Sequence, residues 1–129
     1  EITDKEQSMP NTIYVAPSDY HLYVENKHHF SLSVDKKEHY SRPAINVTFT
    51  SAAEVFGEYC IAILLSGANE DGVSGLLKVK RHGGLTIVQS PESSQVNIMP
   101  QSAINKGAAT QVLSPIEISR LLLQYNNLV

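Results

Sequence analysis

The sequence has 129 residues and a mass of 14.2 kDa, and 42% of it is hydrophobic, so it fits one folded domain rather than a disordered tail. Ten basic and thirteen acidic residues give a formal net charge of −3, which leaves no basic excess for binding nucleic acid phosphates. The single cysteine, Cys60, excludes an internal disulfide and a cysteine-based zinc site.

The first third of the chain predicts a strand and a hairpin. Residues 13–16 are β-branched and aromatic and are closed by Pro17, a pattern typical of a strand. Polar and apolar residues alternate over 21–24 and again over 30–34, which predicts two antiparallel strands joined by a turn at 25–28.

Helical and strand patterns then alternate. Arg42-Pro43 precedes a predicted helix that ends at Gly57 and has an apolar face formed by Ile45, Phe49, Ala52, Ala53 and Phe56. The continuous apolar run 60–65 is typical of a strand covered on both faces. It is too short for the roughly 20 residues that a membrane-spanning helix needs, so we expect no membrane insertion.

The second half of the chain continues this alternation. Further elements are a glycine-rich turn at 66–72, a helix ending at 83–84, a strand at 85–89, a loop at 90–94, a short helix from 99 to 107 and a strand at 111–113. Ser114 and Glu117 form a predicted capping box with proline at the first helical position. The last helix places its apolar residues at Ile116, Ile118, Leu121, Leu122 and Tyr125.

This alternation predicts an α/β fold with a mostly parallel sheet and helices on both faces. Because ligands of such folds bind at the carboxyl ends of the strands, the turn at 66–72 is the best candidate site. Asp71 precedes a helix there, and it either caps free helix amides or orients a histidine or a ligand hydroxyl. No phosphate-loop lysine, EF-hand pattern or Gly-x-Gly-x-x-Gly motif is present, so we expect no metal and no cofactor.

An ordered series of short motifs runs from about Pro10 to the end of the chain. The motifs are Tyr14-Val-Ala-Pro17 with Asp19 and His21-Leu22, Arg42-Pro43, Ser51-Ala52-Ala53, Leu64 to Gly72 with Gly75-Leu76, Gly83-Gly84, Thr86, Gln89 with Ser93-Ser94, and Met99-Pro100 with Ala103-Ile104 and Gly107. Together they resemble the catalytic domain of the chemotaxis protein-glutamate methylesterase family, often called CheB.

The resemblance implies a three-layer, doubly wound sheet with a β-hairpin. It also implies hydrolysis of glutamate methyl esters on the cytoplasmic helices of chemoreceptors, and often deamidation of receptor glutamines. The family uses a Ser-His-Asp triad, whose aspartate carries over onto Asp71. Gly67, Ala68, Asn69 and Met99 would form the oxyanion and substrate loop, with a backbone amide near Ala68 facing the oxyanion.

The chain departs from the family pattern in one major respect. The Ala-Ser-x-Gly-Gly turn and the Gln-His pair, which carry the family's serine and histidine, are absent and belong upstream. The sequence also opens at Glu1 rather than methionine. We therefore expect residues 1–129 to be the C-terminal two-thirds of a single catalytic domain, without its first strands and without a receiver domain.

Smaller departures lie near the matched motifs. Ala68 stands where a methionine is usual, Ser41 replaces a frequent histidine, Asn46 replaces an aspartate, and Asn97-Ile98 replaces Phe-Gly. Two functions remain open, and a third, a generic nucleotide-binding α/β domain, is disfavoured because no Gly-x-Gly-x-x-Gly motif follows a strand. The favoured one is a cytoplasmic esterase domain whose serine and histidine lie outside this chain. The alternative is a non-catalytic relative that binds a receptor or another partner.

Overall fold

The computed structural model describes residues 1–126. Strands β1 (His21–Asn26) and β2 (His29–Ser33) form an antiparallel hairpin, and β3 (Ile61–Leu64), β4 (Leu85–Gln89) and β5 (Gln111–Leu113) form a parallel sheet in that order. The helices are α1 (Ile45–Phe56), α2 (Val73–Arg81), α3 (Ile98–Asn105) and α4 (Pro115–Asn126), and short 3-10 turns lie at Gly57–Tyr59 and Pro91–Ser93. The predicted α/β fold with a hairpin is confirmed.

The main core lies against one face of the parallel sheet. Ala62 pairs with Thr86 and Leu64 with Val88, so these four side chains point to the same face. The apolar residues that complete this buried cluster are Ala53, Val73, Leu76, Val79, Met99, Ala103 and Ala108. They come from α1, α2, α3 and the turn after α3, so burial of this one face fixes three helices relative to the sheet.

The predicted start of α4 is confirmed. The Ser114 backbone N–H donates to Glu117 Oε1 at 3.0 Å, and the Glu117 N–H donates to Ser114 Oγ at 3.3 Å. The two side chains thus satisfy backbone donors that the first turn of a helix leaves unpaired.

The strand predicted at residues 13–16 is wrong. These residues pair with no strand among residues 1–126, and Ile13 is 93% exposed. The Ile2 N–H does donate to the Val15 carbonyl at 3.0 Å. A β-prone segment becomes a strand only when a neighbour supplies a ladder of such bonds, and the described residues supply one bond.

The predicted burial of two elements also needs correction. Residues 60–65 are not covered on both faces by the described residues, because Ile61 and Leu65 are exposed. The apolar residues of α4 are mostly exposed as well, and of that set only Ile118 is buried. Both elements therefore present apolar surface that the rest of residues 1–126 does not cover.

The helices of residues 1–126 include none with the length and apolar content needed to cross a membrane.

Candidate active site

The loop that follows β3 is attached to the end of β4. The Ser66 N–H donates to Gln89 Oε1 at 3.0 Å, and Gln89 Nε2 donates to the Ser93 carbonyl at 3.1 Å. Gln89 is nearly buried at the carboxyl end of β4. The predicted site turn therefore starts from a residue that is hydrogen-bonded to the neighbouring strand. It lies at the carboxyl ends of the strands, where such folds bind ligands.

Gly67 and Met99 lie against each other. The Gly67 N–H donates to the Val96 carbonyl and the Met99 N–H donates to the Gly67 carbonyl, both at 3.0 Å. A Cβ on Gly67 would lie 2.6 Å from the Met99 methyl carbon, so a side chain there would displace the methionine. The structure thus places two of the predicted loop residues in direct contact.

Ala68 and Asn69 form the exposed tip of the loop. Asn69 Oδ1 accepts the Asp71 N–H at 2.9 Å, which folds the chain into a local Asx turn. Within residues 1–126 the Ala68 N–H makes no hydrogen bond, whereas the neighbouring Gly67 N–H is already bonded.

Glu70 ties the loop to α3. Its carboxylate accepts from Ser102 Oγ at 2.7 Å and from Lys106 Nζ at 3.4 Å. The Ser102 hydroxyl, followed by the Lys106 ammonium, lowers the pKa of Glu70 below its ordinary value. Glu70, the residue before Asp71, thus holds one side of the loop on α3, and its carboxylate stays ionised to a lower pH than an unpaired glutamate would.

The Asp71 carboxylate caps α1, an element that precedes it by 26 residues. Asp71 Oδ2 accepts the Ile45 N–H at 2.8 Å, and Oδ1 accepts the Asn46 N–H at 3.0 Å. Asp71 is 4% exposed. The helix that follows it, α2, has Gly72 at its N-cap position, and glycine has no side chain to cap the helix. Asp71 therefore does bind free helix amides, but those of α1 rather than of its own helix.

Asn46 returns the interaction. Its Oδ1 accepts the N–H groups of Gly72 at 2.9 Å and of Gly75 at 2.8 Å, which are the unpaired donors at the start of α2. The Asn46 side chain at the N-terminus of α1 thus caps α2, and the Asp71 carboxylate just before α2 caps α1.

His21 completes the set of acceptors at the start of α1. Its Nδ1 accepts the Ala44 N–H at 3.2 Å, so Nε2 carries the ring proton and donates to the Lys36 carbonyl at 2.9 Å. His21 is 1% exposed and both of its nitrogens are occupied by backbone groups. It has no free nitrogen to act as a general base.

The arrangement leaves Asp71 able to accept a further hydrogen bond. A carboxylate offers about four lone-pair sites, and the two backbone donors use two of them. Among residues 1–126, no histidine or serine side chain donates to this carboxylate. A fixed, buried acceptor at the carboxyl end of a parallel strand suits the acid of a hydrolytic triad, whose role is to orient an imidazole.

Sequence reasoning identified Asp71 but not the roles of Asn46 and His21. Asn46 stands among the apolar positions of α1, and His21 occupies an inward position of an alternating strand. A polar residue at a predicted core position was the available signal, although it does not reveal the partner.

Burial raises the pKa of the Cys60 thiol, as expected for a packed and unreactive cysteine. No group of His, Cys, Asp and Glu residues in the described part of the chain has the geometry of a metal site.

The parallel sheet and the buried carboxylate after β3 place the chain in the class of α/β domains with a candidate site at the carboxyl ends of their strands. The family model described as CheB methylesterase matches residues 1–122. The chain belongs to this family, whose members are protein-glutamate methylesterases and thus carboxylic ester hydrolases.

Individual relatives agree with this assignment. A putative protein-glutamate methylesterase/protein-glutamine glutaminase of Leptospira interrogans (strain Fiocruz L1-130) is 42% identical, over 99% of this chain and 67% of that protein. The protein-glutamate methylesterase FrzG of Myxococcus xanthus is 39% identical, over 90% of this chain and 35% of that protein. The crystal structure of the Thermotoga maritima CheB methylesterase catalytic domain matches with a TM-score of 0.90 and 36% identity, covering 97% of this chain and 68% of that one.

Proposed function

We propose that Asp71 is the acid of a Ser-His-Asp triad that hydrolyses glutamate methyl esters on the cytoplasmic helices of chemoreceptors. The observation that carries the proposal is the double anchoring of a 4% exposed carboxylate, by the Ile45 and Asn46 amides, at the carboxyl end of β3. The site is thus preorganised before an imidazole arrives, and a preorganised acceptor costs no rearrangement during the reaction. We place the reaction in the cytoplasm, where the methylated receptor helices lie.

In this scheme Asp71 accepts a hydrogen bond from the ring N–H of the imidazole and keeps the ring in the tautomer that serves as a base. The histidine takes the proton of the serine hydroxyl as the oxygen attacks the ester carbonyl, and the same proton then leaves with methanol. Water hydrolyses the acyl-enzyme by the reverse sequence, which releases the glutamate carboxylate. Asp71 neither gains nor loses a proton in these steps.

We assign the loop beside Asp71 to the oxyanion and the substrate. Ala68 is an exposed residue and its N–H makes no hydrogen bond within residues 1–126, so this amide can stabilise negative charge on a carbonyl oxygen. Gly67 and Met99 fix the base of the loop, and Asn69 holds its tip through the Asp71 amide. Their place is therefore to aim the Ala68 amide rather than to react.

We further propose that this chain is the C-terminal two-thirds of one catalytic domain, although residues 127–129 lie outside the described range. This chain covers 67% of the Leptospira interrogans protein and 68% of the Thermotoga maritima catalytic domain, which supports this size. So do two features of β3: within residues 1–126 it pairs with a strand on one side only, and the side chains of Ile61 and of Leu65 just after it are exposed. A central parallel strand is normally paired on both sides and covered on both faces. The serine and the histidine would come from the remaining third.

An intact-mass spectrum of the protein purified from its source under denaturing conditions tests this domain proposal. We expect a species heavier than 14.2 kDa, or a second fragment beside it. A lone species of 14.2 kDa would mean that the chain is not a triad hydrolase by itself.

Replacement of Asp71 by Asn in the complete protein tests the catalytic role. We expect the kcat for methanol release from methylated receptor to fall by about 10⁴, as in other triads, with KM little changed. Glu58→Gln is the control, because it neutralises an exposed carboxylate before β3, at the end of the sheet opposite the site, and it should leave kcat near the wild-type value. An unchanged kcat in Asp71→Asn would remove Asp71 from the mechanism.

The capping of α1 by Asp71 also supports a second candidate, a non-catalytic domain that binds a receptor or another partner. A structural task alone would explain a buried carboxylate at a helix N-terminus. In that case Asp71→Asn would lower the free energy of unfolding while the affinity for receptor stayed the same, and the wild-type protein would release no methanol.

A further inference from the structure

We propose that Asn46 is a positioning residue for Asp71, and that the oxygen is the only polar atom of its side chain that contributes. The inference rests on the proposed function, since it concerns how the triad acid is held. It follows from the hydrogen bonds that connect α1, Asp71 and the first turn of α2.

The two residues hold each other at two points. The Asn46 N–H binds Asp71 Oδ1 at 3.0 Å, and Asn46 Oδ1 binds the N–H of Gly72, the residue directly after Asp71, at 2.9 Å. The carboxylate and the following peptide of Asp71 are therefore both attached to one residue of α1. Rotation of the Asp71 side chain would break the first bond, and withdrawal of its backbone would break both.

The close approach of the helices keeps Asn46 itself in place. Asn46 Oδ1 also accepts the Gly75 N–H at 2.8 Å, and a Cβ on Gly75 would lie 3.0 Å from the Asn46 Cα. Gly72 adopts a φ of +104°, a conformation that favours glycine, which directs the chain from Asp71 into this contact. The Asp71 backbone is consequently bound between two fixed helix ends.

One atom of Asn46 takes no part. Its Nδ2 is buried without a hydrogen-bond partner among the described residues, although the residue as a whole is 3% exposed. A carboxylate of the same shape would keep the acceptor for the Gly72 and Gly75 amides, but it would add a second buried negative charge close to Asp71. Asn46 cannot be replaced by leucine, which has a similar size but no acceptor for these amides.

The consequence is an effect on turnover rather than on substrate binding. The Asn46 side chain binds the backbone amides of Gly72 and Gly75, so its removal frees the peptide that follows Asp71 and shifts the triad acid. A misplacement of about 1 Å costs about 100-fold in rate, because the imidazole then no longer aligns with the serine. KM reports the binding of the receptor helix and should not change.

The test compares Asn46→Asp and Asn46→Leu in the complete protein, with kcat and KM measured for methanol release from methylated receptor. We expect Asn46→Leu to lower kcat by about 10- to 100-fold at constant KM, and Asn46→Asp, which keeps the acceptor, to retain a higher kcat than Asn46→Leu. If Asn46→Leu does not fold, Asn46→Ala removes the same oxygen without adding bulk.

Ser51→Ala provides the structural control. Ser51 Oγ accepts the Val24 N–H at 2.9 Å, so this variant also removes a partly buried hydrogen bond of α1, but at a residue with no hydrogen bond to Asp71 or to the first turn of α2. It should lower stability and leave the kcat of the folded protein unchanged. If it lowers kcat as much as Asn46→Leu does, general loosening of α1 explains the effect and the proposal fails.

The Asp71→Asn background separates the two proposals. If Asn46 acts through Asp71, Asn46→Leu will not reduce the residual rate of Asp71→Asn any further. A further reduction, or an unchanged kcat in the single Asn46→Leu or Asn46→Ala variant while Asp71→Asn is inactive, overturns the positioning role alone. Full activity in Asp71→Asn overturns the proposed function instead.

Discussion

Gly75 of α2 lies against the backbone of Asn46 in α1, so that a Cβ on Gly75 would be 3.0 Å from the Asn46 Cα and 3.1 Å from its carbonyl oxygen. The same Cβ would lie 2.8 Å from the Cβ of Phe49. These neighbours are backbone atoms or atoms next to the backbone, so they cannot rotate away. The contact sets the separation of the two helices whose N-termini hold Asp71.

Gly75→Ala should therefore destabilise the protein by about 1–3 kcal/mol, because the extra methyl group forces α1 and α2 apart. Urea-induced unfolding measures the change. Gly107→Ala is the control: Gly107 has a φ of +73° and no atom within 4 Å of its would-be Cβ, so only backbone strain of about 1 kcal/mol applies. A smaller loss in Gly75→Ala than in Gly107→Ala would contradict the close helix contact.

A second stability prediction concerns Thr86 in the centre of the sheet. Thr86 is fully buried, and its hydroxyl donates to the Ala108 carbonyl and accepts the Thr110 N–H at 2.9 Å. Thr86→Val keeps the shape but leaves the Ala108 carbonyl without this donor. We expect a loss of about 1–3 kcal/mol in the free energy of unfolding.

Thr86→Ser is the matched variant, since it keeps the hydroxyl and removes only a methyl group. It should cost about 1 kcal/mol. Equal losses in the serine and valine variants would mean that packing, rather than the hydrogen bonds to the turn before β5, accounts for the role of Thr86.

The pH dependence of stability has one assignable contribution at Glu70. Its pKa is lowered from 4.5, first by the Ser102 hydroxyl and then by Lys106. Because the folded-state pKa lies below the unfolded value, the contribution is fully present above 4.5 and is lost as the pH falls through the folded pKa. Ser102→Ala removes the larger cause and should make the acid-side loss of thermal stability shallower.

Melting temperatures measured from neutral pH downward, for wild type and Ser102→Ala, check this expectation. Glu70→Gln supplies the control, because a glutamine has no carboxylate to titrate. In the Glu70→Gln background, Ser102→Ala should leave the pH dependence unaltered. A change of slope there would show that another group is responsible.

Local sequence patterns predicted the elements that depend on neighbouring residues. The alternation in the hairpin, the strand at 85–89 and the Ser114–Glu117 capping box all lie where they were expected, because their determinants are within a few residues. Residues 13–16 failed for the opposite reason. Their β-propensity is local, but a strand needs a partner that the described residues do not supply.

The candidate site shows the same division. The turn at 66–72 and Asp71 were found because glycine spacing and position after a strand are local features. The side chains that accept the first amides of α1 were not predicted, because they are distant in sequence. His21 lies 23 residues before the Ala44 amide that it binds, and Asp71 lies 26 residues after the Ile45 amide that it binds. An aspartate before a helix predicts a cap for that helix, and only the packing of α1 against α2 redirects it to the other one.

The last prediction concerns the capping box of α4, where a serine-to-alanine substitution should have different effects at two positions. Ser114→Ala removes the acceptor of the Glu117 N–H and should cost about 1 kcal/mol, with faster hydrogen exchange in the first turn of α4. Ser119→Ala makes the same change at an exposed position inside α4, where alanine is the better helix former, and should be neutral or slightly stabilising. Hydrogen exchange of the α4 amides, measured by mass spectrometry, compares them directly. If Ser114→Ala leaves exchange in α4 unchanged, the helix is held by its contacts with β5 and not by its cap.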